Sequence, residues 1–260
     1  PVVVGQILIG IILTPSMLGV IHGTHTLKFL AEIGVILLMF LAGLESDFGL
    51  LKKYLKPSLL IAIFSVLVPL LVYAGVTNYL GYQLPVAIFY GLVFSATSVS
   101  ITVEVLQEYG KLSSRAGAVI LGAAVVDDIL AVLVLSFFMS SQASGGNLGL
   151  TIGLQVIFLI FLYLAFKWLV AFVFRFVGKL SIYGQYTTVS LLICFILSLL
   201  ADSVGMSAVI GAFFAGLSIG QKDMAEKIEA SISQIAYVFF IPIFFVTIAL
   251  PINFSSLLEN

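Results

Sequence analysis

Asp127 and Asp128 stand side by side in GAAVVDDILAVLVL (122–135), an otherwise apolar run. At the centre of a membrane span each charge would cost about 2.5 kcal/mol or more. Neighbouring helical residues point about 100° apart, so one acid can face an ion while the other faces a different helix. A carboxyl group in such surroundings can exchange a proton near neutral pH. A small hard cation takes oxygen ligands, and carboxylate, hydroxyl and carbonyl all qualify. FSATSVSIT (94–102) holds five hydroxyl residues in nine: Ser95, Thr97, Ser98, Ser100 and Thr102. Asp128, Thr97 and the carbonyls around it therefore form an expected oxygen set, with Asp127 and Ser98 beside them. One carboxylate for which a proton and a cation compete would carry them alternately. The bland alternatives are a buried acid held by a fixed basic partner, and Ser and Thr acting only as glue between helices. No Lys or Arg falls at the depth of the acids.

That depth comes from the elements that must position these residues. The chain has 260 residues, 62% of them hydrophobic and only 9% charged, with a mean hydropathy of +1.25. A soluble domain of this size carries about 25% charged residues. Apolar stretches long enough to cross a bilayer recur throughout. Nine spans are expected, near 2–20, 27–44, 57–77, 85–107, 116–140, 148–174, 185–201, 204–220 and 234–251. Together they make an all-α transmembrane bundle, one integral membrane domain over 1–260. Asp128 lies 12 residues into the fifth span and Thr97 12 residues into the fourth, which runs the other way. Both positions are roughly 18 Å deep, close to the midplane. A hydroxyl-rich stretch there is a poor continuous helix, because its side chains back-bond to the chain and bend or replace helical hydrogen bonds. Discontinuous helices at the midplane offer carbonyl oxygens to Na⁺ or H⁺-linked sites.

Orientation follows from the basic residues. Lys52, Lys53, Lys56, Lys111, Arg115, Arg175, Lys179, Lys222 and Lys227 fall in loops on one side, nine of the eleven Lys and Arg in the chain. Those loops are expected in the cytoplasm, with Pro1 inside and the C-terminus outside. The sequence begins within an apolar stretch and without Met, as part of a longer polypeptide would. A net charge of −1 gives no sign of nucleic acid, and the single cysteine, Cys194, excludes an intrachain disulfide. Glu32 and Glu104 sit toward span ends, where structural roles are expected before ion binding; Asp202 is expected to cap the tight turn at Val204–Gly205. His22 and His25 read as solvated loop residues, and Gly211 and Gly216 as points of close helix contact.

Five stretches carry a family resemblance: VVGQILIGIILTPSMLG (3–19), LAEIGVILLMFLAGLESD (30–47), SATSVSITVEVLQEYGKLSSRAGAVILGAAVVDDI (95–129), ADSVGMSAVIGAFFAGLSIG (201–220) and FFIPIFFVTIAL (239–250). The chain resembles the monovalent cation:proton antiporters of the Kef and Nap type, within the sodium/proton exchanger superfamily. The resemblance implies an inverted-repeat fold of thirteen or so spans, a dimer domain beside a mobile core domain, and a homodimer in a bacterial plasma membrane. It places the ion-binding acid at Asp128, the preceding acid at Asp127 and the hydroxyl of the broken helix at Thr97, with Ser98 beside it. It implies Na⁺, with K⁺ or Li⁺ as alternatives, exchanged for H⁺ by alternating access, with no cofactor and no enzymatic activity. Kef-type potassium efflux members commonly carry Gln at the first acid, so the Asp-Asp pair leans toward sodium. A transport-inactive sensor or scaffold of the same fold is the other alternative. The chain departs from many relatives at Gln6, where they have Glu, and at Glu104, where a basic or neutral residue is common. The relatives' second broken helix, and a Lys that often pairs with the first acid, lie beyond the matching stretch.

Overall fold

A computed structural model describes residues 2–15, 17–142, 148–177 and 184–251, and among them it contains helices and turns without strands. The helices are α1 (Val2–Leu13), α2 (His25–Glu45), α3 (Phe48–Lys53), α4 (Leu55–Tyr79), α5 (Leu84–Ser95), α6 (Val99–Glu108), α7 (Arg115–Gln142), α8 (Leu148–Leu164), α9 (Val170–Val177), α10 (Gln185–Ser203), α11 (Ala208–Gly220), α12 (Ala225–Ile235) and α13 (Ile241–Ile248). A π-helical turn at Ala165–Leu169 joins α8 to α9, and another at Ala236–Phe240 joins α12 to α13. Seven helical stretches of the described residues, one of them α5 with α6, are long and apolar enough to cross a membrane. The other two expected spans are apolar helices of 12 and 13 residues, α1 and α11.

Local chemistry explains where these helices start and stop. The Thr24 hydroxyl accepts the Leu27 N–H at 3.3 Å, and the Asp47 carboxylate accepts the Leu50 N–H at 3.0 Å. Both are N-caps that satisfy donors with no partner inside the helix. The first span ends early, at Leu13, because Pro15 disfavours helical backbone at Thr14. Between α10 and α11 the turn is closed by main-chain bonds, Val204 N–H to Ala201 O at 3.2 Å and Gly205 N–H to Asp202 O at 2.9 Å. Gly205 has φ +74°, a conformation that suits glycine. At the other end of the chain the last helical stretch begins at Ala225, nine residues before the expected boundary. AEKIEASISQI is charged, but it buries Ile228 and Ile232 on one face.

Two packing groups result. α4 packs on α5 and α7; α2 packs on α11 and α13, and α11 also on α10. Glycines set the spacing in the second group. A Cβ on Gly216 would meet the Phe40 carbonyl oxygen, one on Gly43 the Phe213 carbonyl, and one on Gly211 the Leu197 carbonyl. The helices therefore touch backbone to backbone, as expected for Gly211 and Gly216. Residues 143–147 and 178–183, where connections including Lys179 are expected, lie outside the described residues.

Candidate functional site

The fourth apolar stretch is not one helix. α5 ends at Ser95, Ala96 (φ −67°, ψ 123°) and Ser98 (φ −83°, ψ 102°) are extended, and α6 begins at Val99. The hydroxyls satisfy the interrupted backbone. Ser95 Oγ donates to the Leu92 carbonyl at 2.8 Å, and Thr102 Oγ1 donates to the Ser98 carbonyl at 2.9 Å. Ser98 Oγ accepts the Ile101 N–H at 3.4 Å, capping α6. Thr97 is exposed, and its hydroxyl lies 3.5 Å from the Ser95 carbonyl. Such a break is tolerated at membrane depth only inside protein or along a wet cavity.

The two aspartates, adjacent on α7, face different helices. Asp127 is buried, and the Ser65 hydroxyl of α4 donates to its Oδ1 at 2.8 Å. Ser65 Oγ also lies 2.9 Å from the Ala62 carbonyl, and its single proton can serve only one of these acceptors in full. Asp128 is half-buried, and Ser207 at the start of α11 lies near enough to act on its carboxyl group. Ser207 in turn lines a cavity of about 670 Å³, together with Glu32, Ser198 and Asp202. Asp202 thus faces a cavity beside a turn whose closure is main-chain.

Of the four residues expected at the site, Asp127 and Asp128 belong to one buried polar locus. Among the described residues neither the Thr97 nor the Ser98 hydroxyl is hydrogen-bonded to either acid. Ser65 and Ser207 complete the locus, and the sequence reading passed over both. Each carried a signal: Ser65 is a hydroxyl ten residues into α4, roughly 15 Å deep. Ser207 precedes a 13-residue helix, so counting from the far end of α11 places it roughly 20 Å deep. That is the depth of Asp128.

Seven membrane-length helical stretches, one of them interrupted and one bearing an acid pair, define a multi-pass membrane protein of the ion-carrier class. The sodium/hydrogen exchanger transmembrane family matches residues 1–260, and the chain belongs to that family. It is 43% identical to the Na(+)/H(+) antiporter of Enterococcus hirae over 100% of this chain and 69% of that protein. It is 36% identical to the Na(+)/H(+)-K(+) antiporter GerN of Bacillus cereus over 99% of this chain and 67% of that one. Its fold is similar to that of the sodium proton antiporter MjNhaP1 from Methanocaldococcus jannaschii, with a TM-score of 0.66 at 18% identity over 100% of this chain and 66% of that one. The chain thus spans about two thirds of the length of these relatives.

Proposed function

We propose that the chain holds the ion site of a Na⁺:H⁺ antiporter, in which Asp128 binds sodium and protons by turns. The observation that carries this is the divergence of the two aspartates. Asp127 is held by Ser65 in the interior, while Asp128 stays half-buried near Ser207, which lines a cavity. One acid anchors α7 to α4, and the other is left half-buried beside an approach route. Thr97 and Ser98 contribute oxygens from the broken helix once a cation sits against Asp128, with Thr97 the nearer ligand. Sodium is favoured over potassium by the Asp-Asp pair and by the names of most of the relatives. The working unit in this reading is a homodimer in a lipid bilayer. The test is exchange by the full-length protein in proteoliposomes with a pH-sensitive dye. Asp128→Asn abolishes Na⁺-driven dequenching, whereas wild-type rates in that variant rule the site out. Thr97→Ala raises the half-saturating Na⁺ concentration several-fold with the melting temperature retained; an unchanged value removes Thr97 from the ligands.

A further inference from the structure

Glu32 and Glu45 stand 13 residues apart on α2, roughly 20 Å, and each marks a different cavity. The one at Glu45, of about 420 Å³, is also lined by Gln6 of α1, Glu104 and Gln107 of α6, and Tyr237 of the π-helical turn. Its acceptors outnumber its donors. Glu104 is only 8% exposed, and its Oε2 is buried with no hydrogen-bond partner; Gln6 Oε1 and Gln107 Oε1 are in the same condition. The Gln107 amide instead donates to Glu45 Oε1 at 2.9 Å. A buried carboxylate oxygen without a partner is strongly disfavoured, so three orphaned acceptors around one space describe a place for a positive ligand.

Among the described residues no three His, Cys, Asp or Glu side chains are grouped as if to hold a metal ion, so any cation here must rely on amide oxygens as well. Carboxylate and amide oxygens suit a hard cation. We propose that this cavity is a second monovalent cation site, separate from the aspartate pair. Glu104 and Glu45 supply charge, and Gln6 and Gln107 supply neutral oxygens. The site extends the exchanger reading but does not depend on Asp128 as a ligand.

Thermal unfolding of the purified full-length protein carrying Asp128→Asn separates the two sites, because a ligand that binds only the folded state raises its stability. NaCl and KCl are titrated against choline chloride at constant ionic strength. The expected result is a Na⁺- or K⁺-specific rise in melting temperature that survives Asp128→Asn, and the ion with the lower midpoint is the occupant. Adding Glu104→Gln raises that midpoint at least tenfold. Gln6→Met, which keeps charge and approximate volume, raises it about threefold and serves as the readout if Glu104→Gln fails to fold. Loss of all cation-specific stabilisation in Asp128→Asn overturns the proposal. So does a response that neither further substitution alters, or a Glu104→Gln protein that is more stable in choline alone yet keeps its cation response, the mark of a merely protonated carboxyl. If Asp128→Asn still exchanges sodium while the Glu104-dependent response persists, the aspartate site fails and this one stands.

Discussion

The contact between α2 and α11 and the contact that α6 and the turn after it make with α1 and α2 are built from opposite materials. Within the first, glycines bring main chain against main chain, and Phe40, Phe213 and Leu217 are buried around them. Across the second run side-chain hydrogen bonds: Gln107 to Glu45 at 2.9 Å, the Ser113 hydroxyl to the Glu45 carbonyl at 3.1 Å, and the Val2 N–H to Glu108 at 2.9 Å. Close-packed backbones have one arrangement, because shifting them by a fraction of a turn makes atoms overlap. Hydrogen bonds between long or polar side chains can be broken and remade in a new register, with water or an ion as the interim partner. On the proposed reading, the acid-bearing α7 packs on α6, beside the remakeable contact that an alternating-access carrier needs.

The sharpest way to break this contrast is Gly216→Ala. Its Cβ enters the space of the Phe40 carbonyl, and an overpacked contact of this kind costs about 3 kcal/mol. A large fall in melting temperature is expected, whereas Gly149→Ala on α8, with nothing within 4 Å, leaves it in place. Equal melting temperatures would show that α2 and α11 are free to adjust. Next in size is the response to pH. If a proton and sodium compete for Asp128, apparent Na⁺ affinity weakens as pH falls, by about tenfold per pH unit once the proton dominates. Stabilisation by Na⁺ measured from alkaline to acid pH checks both sign and slope, and a flat profile means that the two ions do not share the carboxylate. Ser207→Ala and Ser65→Ala then divide the acid pair. Ser65→Ala removes a hydrogen bond to a carboxyl group, worth about 1–2 kcal/mol, and Ser207→Ala removes a hydroxyl near the other acid. Ser207→Ala is expected to weaken Na⁺ binding several-fold at nearly constant stability. Ser65→Ala is expected to lower stability with Na⁺ affinity changed less than twofold, and the reverse pattern would exchange the roles of Asp127 and Asp128.

What could be read from the residues alone follows the same division. Charge in lipid is so costly that Asp127 and Asp128 announce themselves, and FSATSVSIT could not be mistaken for an ordinary span. Glycines in VIGAFFAGLSIG signalled close packing, and carbonyl oxygens now identify what they approach. Ser65 and Ser207 stayed hidden because a hydroxyl in a helix is cheap and common, so only its depth against another element marks it. Glu104 looked like a span-end residue because, along its own helix, that is where it sits. The cavity around it is assembled from residues 6, 45, 104, 107 and 237, and no local window contains them. The start of α12 was missed because a charged, amphipathic helix in AEKIEASISQI looks like a loop when only continuous apolarity is sought.

The smallest expected effect probes the contact from its exposed rim. The Ser113 hydroxyl bonds to the Glu45 carbonyl in an exposed position, where water replaces it at little cost, so Ser113→Ala changes stability by less than about 0.5 kcal/mol. Its influence on turnover can still be measured. If this bond breaks and reforms in each cycle, removing it lowers the barrier to leaving the arrangement seen here and changes the exchange rate while the melting temperature stays fixed. If it belongs to a fixed contact, rate and stability both stay at the wild-type value. A rate change alone places Ser113 and Glu45 on the moving boundary; a stability loss comparable to that of Gly216→Ala would instead make the polar contact as rigid as the glycine one and remove the distinction between them.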